Sequence, residues 1–251
     1  MKNLIKSLAA QLGYEFRKID DAPQIQAHGV IVSWPHRGQE VRFHLENRFD
    51  LIGRDLFNGR FFEEEELTHL ASLVRPGGTC VDIGANIGNH SVFFGKILGA
   101  AKVIAVEPGD WGYPRLCFNL ALNGLTGCSV THKLALSDRA GRARMDFWAP
   151  GNHGTLAIHD GAGGEEVTLV TGDSLLEGED VALIKIDAER HEDHVLRGLE
   201  ATLARCRPVL LLEAAQTDRA ATEARLAALG YRTDRAFERY GDIVNLIAVA
   251  D

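Results

Sequence analysis

From Thr79 onward the chain alternates short apolar runs with longer amphipathic stretches, and few folds accept that order. Runs of strand length fall at 79–83, 102–106, 129–133, 181–186, 208–212 and 243–249, and stretches with helical spacing fall near 89–98, 111–123, 191–205 and 217–229. Strands separated by helices of this length are joined by crossovers, which makes neighbouring strands parallel. The run Val181-Ala182-Leu183-Ile184-Lys185-Ile186 is mostly apolar, as a strand covered on both faces should be. A further strand near Tyr231 lies so close before 243–249 that one of the two is expected to run antiparallel. The expectation is an α/β fold on a mostly parallel seven-stranded sheet, with helices on both faces.

The rest of the chain reads as additions to that sheet. Its 251 residues suit one α/β domain with a modest extension, or at most two small domains. Residues 1–58 are expected to form an N-terminal extension, with 59–251 as the main domain. Leu4, Ile5, Leu8 and Leu12 have helical spacing, and such a short helix reads as a cap on the domain or a homodimer contact. Two β-like runs around the polar turn His36-Arg37-Gly38-Gln39 predict a hairpin over 28–46. The acidic run Glu63-Glu64-Glu65-Glu66 precedes an apolar stripe at Leu67, Leu70, Leu73 and Val74, so the helix dipole accounts for the charges. Residues 145–172 hold two short β-like pieces around a glycine-rich segment and read as a loop or hairpin inserted over the sheet edge. That insert carries Trp148 and His153, and with Trp111 these are candidates for substrate contact, although packing or plain exposure explains them as well.

Charge and cysteine content narrow the partners. The formal net charge of −8 argues against a nucleic-acid partner, which calls for a basic surface. Cys80, Cys117, Cys128 and Cys206 include no CxxC pair, so neither a zinc site nor a redox pair is expected, and reduced thiols fit a cytoplasmic setting. The N-terminus lacks a long apolar core and the chain has no 18-residue apolar run, so neither a secretory signal nor stable membrane insertion is expected.

The chemistry begins at residues 81–90, Val-Asp-Ile-Gly-Ala-Asn-Ile-Gly-Asn-His, a strand running into a turn. Gly84 and Gly88 let the backbone turn tightly and approach a ligand, and Asn89 is a candidate helix N-cap. Asn86 stands where a dinucleotide fingerprint needs its second glycine, and no Gly-Lys-Ser/Thr ending makes a P-loop. That leaves NAD-type oxidoreduction as a weak alternative. Asp82 suits a ligand with a cationic amino-acid part, such as S-adenosylmethionine (SAM), better than a pyrophosphate. A second strand, Lys102-Val103-Ile104-Ala105-Val106, ends in Glu107, 25 residues after Asp82. An acid at this interval from a glycine loop can accept both hydroxyls of a ribose.

These blocks resemble the FkbM family of methyltransferases. The matching stretches are residues 82–91, Glu107-Pro108, Asn119 with Asn123, Ala135-Leu136-Ser137-Asp138 with Gly141, Asp173-Ser174-Leu175, and residues 185–192 with Val195-Leu196-Arg197-Gly198, spanning roughly 60–213. The resemblance implies a Rossmann-like class I methyltransferase fold, SAM as methyl donor, and a hydroxyl acceptor on a sugar, glycan or secondary metabolite. It implies that Gly84, Asn86 and Gly88, with Ala85 in the same loop, line the methionine and ribose. Glu107 would hold the ribose, and Ala135, Leu136 and Ser137 would flank the adenine. The family usually has glycine where this chain has Arg190. Arginine does not cheaply adopt the positive φ open to glycine, so either the turn is ordinary or its geometry and the substrate pocket have changed.

Asp187 ends the fourth strand beside the cofactor site, and Glu189, His191 and Glu192 follow it. Methyl transfer to a hydroxyl needs a proton acceptor and exclusion of water. His191 has the intrinsic acidity for the task, with Asp187 or Glu189 as its orienting partner or as the base itself. Glu192 also fits a helix's first turn. Asp187 and Glu213, with Glu189 or His191, offer oxygen-rich ligands for Mg2+ or Mn2+, but the spacing is not diagnostic and no metal site is assigned. A non-catalytic SAM- or nucleotide-binding module is the remaining alternative, supported only by Arg190.

Overall fold

The structure is a computed structural model and describes residues 29–147, 156–159, 163–239 and 241–251. The expected helix at 1–12, Trp148 and His153 lie outside those residues. The chain opens with a hairpin of β1 (Val30–His36) and β2 (Gln39–Leu45), followed by α1 (Leu51–Phe57) and α2 (Glu64–Leu73). Alternating units follow: β3 (Thr79–Ile83), α3 (Asn89–Lys96), β4 (Lys102–Val106), α4 (Gly112–Leu122) and β5 (Ser129–His132). Then come β6 (Ala135–Ser137), β7 (Gly141–Phe147), β8 (Leu156–His159), β9 (Glu165–Thr171), α5 (Gly172–Leu175) and β10 (Val181–Ile186). The chain closes with α6 (Glu192–Arg197), α7 (Glu200–Cys206), β11 (Val209–Ala215), α8 (Arg219–Ala228), β12 (Tyr231–Glu238) and β13 (Ile243–Ala250).

Among the described residues, seven strands form the main sheet in the order β12-β13-β11-β10-β3-β4-β5. The pairs from β11 to β5 are parallel, and β13 runs antiparallel to both β11 and β12, as the short 231–250 connection implied. Every residue of β3 and β10 is buried. Period-two alternation sends Val103 and Ala105 to one face and Ile104 and Val106 to the other, and each face builds its own core. One core holds Phe93 and Leu116 of α3 and α4, together with Trp34 and Phe43 of the hairpin. The other holds Leu196, Leu203 and Leu226 of α6 to α8. Strand order reverses at β3, with β4 on one side and β10 on the other, which opens a crevice at their carboxyl ends.

Three local expectations are corrected. The insert is part of a second sheet of four described strands, β6-β9-β7-β8, in which residues 135–137 form β6. The helix expected over 191–205 breaks at Gly198, whose carbonyl accepts the Asp173 N–H at 2.7 Å. A Cβ on Gly198 would lie 2.0 Å from the Ser137 carbonyl, so this glycine lets α6 pack against β6. Asn89 is not the cap of α3. Gly88 takes that position, and the Asn89 amide instead holds both the N–H and the C=O of Phe62 at 3.0 Å.

Candidate active site

A cavity of 590 Å³ lies in the crevice above β3, β4, β10 and β11, within the usual size of a small-molecule site. The turn after β3 forms its floor. Gly84, Asn86 and Gly88 have φ of 74°, 50° and 92°, the left-handed region that glycine enters freely and asparagine tolerates better than most. A Cβ on Gly84 would sit 1.8 Å from the Asp187 carbonyl oxygen, so only glycine passes the end of β10 this closely.

Glu107 stands in the wall beside this turn. Its carboxylate accepts the Asn86 N–H and the Gly109 N–H, each at 2.8 Å, which fixes its direction. Burial pushes its pKa up to about 7, against the pull of those two backbone bonds. Next to it the wall is apolar, with Leu134 before β6 and with Ala135, Leu136, Met145 and Ile158 brought in by the second sheet.

Carboxylates line the opposite end: Glu63, Asp187, Glu189 and Glu213, with Arg239 among them. Asp187 is held by Lys185, whose Nζ lies 3.3 Å from its Oδ2. Burial alone would drive the Lys185 ammonium towards neutrality, but Asp187 and Asp82 hold its pKa above the ordinary lysine value. Repulsion from Asp187, then burial, then repulsion from Glu63 and Glu189 push Glu213 up to about 10, so it stands as a neutral acid at pH 7. Glu63 sits at φ 61° before α2. His90 bonds it at 2.9 Å and Asn245 at 2.7 Å. Burial would raise the pKa of Glu63, but the bond and charge of His90, with Asn245 and Arg239 behind it, bring it below the ordinary range.

The turn after β10 answers the question raised by Arg190. Glu189 and Arg190 have φ of 49° and 73°, so arginine occupies the conformation that glycine would adopt freely. The Glu192 carboxylate accepts the N–H groups of Ala188 and Arg190 at 3.0 and 3.1 Å and braces the turn from inside.

Of the residues read from sequence, Gly84, Asn86, Glu107, Ala135, Leu136, Asp187 and Glu189 meet on the cavity lining. Asp82, Ala85, Gly88, Ser137 and His191 do not. Asp82 is fully buried beneath the turn, accepts the Ser91 hydroxyl at 2.5 Å and faces Lys185 at 3.4 Å, so it supports the loop from below. His191 lies at the start of α6 with its Nε2 3.0 Å from the Ser137 hydroxyl and its ring stacked on His194. His191 is not among the residues that line the cavity. Among the described residues no group of three or more His, Cys, Asp or Glu is placed to hold a metal ion, so the Mg2+ or Mn2+ option is not supported. Nor is any described helix long and apolar enough to cross a membrane.

Sequence reading missed Glu63, Arg239 and the 47–52 segment on the lining. Glu63 was absorbed into a helix-dipole account that fits Glu64 and Glu65 but not the buried Glu63 and Glu66. A lone lysine in the otherwise apolar β10 was the available signal for the Lys185 cluster, since a buried ammonium requires partners.

Comparison with known proteins agrees with this geometry. A family model described as the methyltransferase FkbM domain matches residues 82–233. A relative, 31-O-demethyl-FK506 methyltransferase FkbM of Streptomyces tacrolimicus, is 28% identical over 181 residues, covering 59% of this chain and 67% of the relative. A methyltransferase FkbM structure from Methylobacillus flagellatus KT aligns with TM-score 0.52 and 16% identity over 73% of this chain. This chain spans about half of that one, 51%. TYW2 of P. horikoshii, solved in complex with MeSAdo, aligns with TM-score 0.52 and 14% identity over 99% of this chain and 83% of that chain. At these identities the two structures speak for the fold alone.

Proposed function

The chain belongs to the methyltransferase FkbM family, and on that premise we propose that it transfers the methyl group of SAM to a hydroxyl of a small molecule or glycan. One observation carries this reading. A single cavity runs from a fixed carboxylate at the end of β4, over a glycine turn with no room for a Cβ, to a carboxylate end at β10 and β11. SAM fits the first half: vicinal ribose hydroxyls can donate to the free lone pairs of Glu107, and the apolar stretch at Leu134, Ala135 and Leu136 suits the adenine. When bound, SAM supplies an electrophilic methyl on a sulfonium.

The residues of the chain account for the rest. Asp187, kept in place by Lys185, accepts the acceptor's hydroxyl proton as the oxygen attacks. Glu213, as a neutral acid, donates a hydrogen bond that orients the same or a neighbouring acceptor hydroxyl. Glu189 borders the acceptor end of the cavity. Phe62 and Ile52 contribute apolar lining that limits water there.

The test is calorimetric titration of the purified protein with SAM, then a search of acceptor pools for formation of S-adenosylhomocysteine. Asp187→Asn should lower turnover by about 10²–10⁴-fold, the usual range for loss of a general base, with SAM still bound. His191→Ala should stay within a few-fold of wild type. A wild-type protein that binds no SAM refutes the cofactor, and full turnover in Asp187→Asn refutes the base.

A further inference from the structure

β10 carries one charged side chain, Lys185, and its register partner in β3 is Asp82. The ammonium is buried and converges on four oxygens. Its Nζ lies 2.7 Å from the Gly84 carbonyl, 3.3 Å from the Ile83 carbonyl, 3.3 Å from Asp187 Oδ2 and 3.4 Å from Asp82 Oδ1. One belongs to the turn that floors the cavity, one to the end of β3 that leads into it, one to the carboxylate beneath the turn and one to the carboxylate across it. The Asp187 N–H also donates to the Ile83 carbonyl, at 3.2 Å. An apolar side chain of the same length would fill this space equally well, yet burying an ammonium is costly unless its charge and its donors are both answered. Here both are answered by the groups that must stay in fixed relation for methyl transfer.

We propose that Lys185 is the positioning residue of this site: its ammonium clamps the glycine turn to Asp187, so the cofactor floor and the proton acceptor are set as one unit. This rests on the function proposed above for what the unit does, but the clamp is a claim about the chain alone. The one ammonium bonds the Gly84 carbonyl at 2.7 Å and pairs with the Asp187 carboxylate at 3.3 Å, which joins the turn to the end of β10. Glu107, Glu192 and Glu213 feel the charge of Asp187, and Glu63, Glu189 and Arg239 share the cavity lining with it. Arg239 Nε lies 3.1 Å from Glu66 and 3.8 Å from Glu63, while the Lys185 ammonium lies 3.3 Å from Asp187.

The test compares Asp82→Asn, Lys185→Met and the double variant Asp82→Asn/Lys185→Met in the full chain. Lys185→Met leaves Asp82 buried without its cation and should lower the melting temperature. The double variant removes that buried carboxylate and should recover it. If Lys185 only balances charge, the double variant also recovers SAM affinity to the level of Asp82→Asn. If it is the clamp, SAM affinity in the double variant stays at least tenfold weaker than in Asp82→Asn. Amide exchange at residues 84–88 then quickens at least tenfold while α8 is unchanged. Exchange decides the matter independently of SAM: quickening at 84–88 upholds the clamp, and unchanged exchange overturns it. A wild-type protein that binds no SAM would refute the cofactor and leave the exchange result to stand. Should the double variant fail to fold, Asp187→Ala frees the clamp from its other end, and unchanged exchange at 84–88 there overturns the proposal equally.

Discussion

Glu107 receives two backbone N–H groups and still titrates near 7, because its burial outweighs them. A ligand that donates hydroxyls to this carboxylate binds its ionised form, so the apo protein must first lose a proton at lower pH. SAM affinity should therefore rise by about tenfold between pH 6 and pH 8, as follows from a free-protein value of about 7. Glu107→Gln should flatten that dependence, which titration calorimetry at several pH values will read. At this scale the sequence was most legible where geometry leaves little choice. Gly84 has no substitute beside the Asp187 carbonyl, and strand-end acids such as Glu107 and Asp187 announce themselves by position. It was least legible where a side chain's direction depends on packing. His191 has the right chemistry but turns to Ser137, and Asp82 has the right place in sequence but lies beneath the floor. Arg190 sat between these cases: its place at the family glycine left an ordinary turn or an altered geometry open, and the structure has it at positive φ with Glu192 bracing the turn.

Between elements, the pair Asn119 and Asn123 explains a sequence feature that had no role until folding supplied one. Asn119 lies on α4 and Asn123 is its C-cap, four residues on and so on the same face. Asn119 accepts the His44 N–H at 2.8 Å and donates to the Ile87 carbonyl at 2.8 Å, linking the hairpin to the turn of the site. Asn123 accepts the Arg42 N–H at 3.0 Å and donates to the Arg42 carbonyl at 2.6 Å. Asn119→Ala strands the part-buried His44 N–H and the buried Ile87 carbonyl at once. At about 1–3 kcal/mol for each unsatisfied group, it should lower stability by about 2–6 kcal/mol in chemical denaturation, with Asn119→Asp in between. The strands and the main helices were legible because hydrophobic period is local. The hairpin's attachment was not, because it joins residues 75 and 81 positions apart through side-chain amides.

Across the whole molecule, the carboxylate end of the cavity sets how stability follows pH. Glu213 titrates near 10 in the folded chain against 4.5 as its ordinary value, so between those limits the native state holds a proton that the unfolded state has released. Unfolding then releases protons, and stability must fall as pH rises through that window. The melting temperature should drop between pH 5.5 and 8.5. Glu213→Gln should flatten the drop and raise the midpoint at pH 8 by at least about 2 °C, given roughly 2–4 °C per kcal/mol for a chain of this size. The sequence placed Glu213 at a strand end, but its neighbours Glu63 and Glu189 reach it from distant segments, so its protonation is a property of the assembled fold. The asparagine pair has a consequence at this scale too. A hairpin strand usually offers its outer edge as a template on which another chain can add. Here the side-chain amides of Asn119 and Asn123 occupy the N–H groups of Arg42 and His44, so those two positions of β2 are not open to strand addition by a neighbouring molecule.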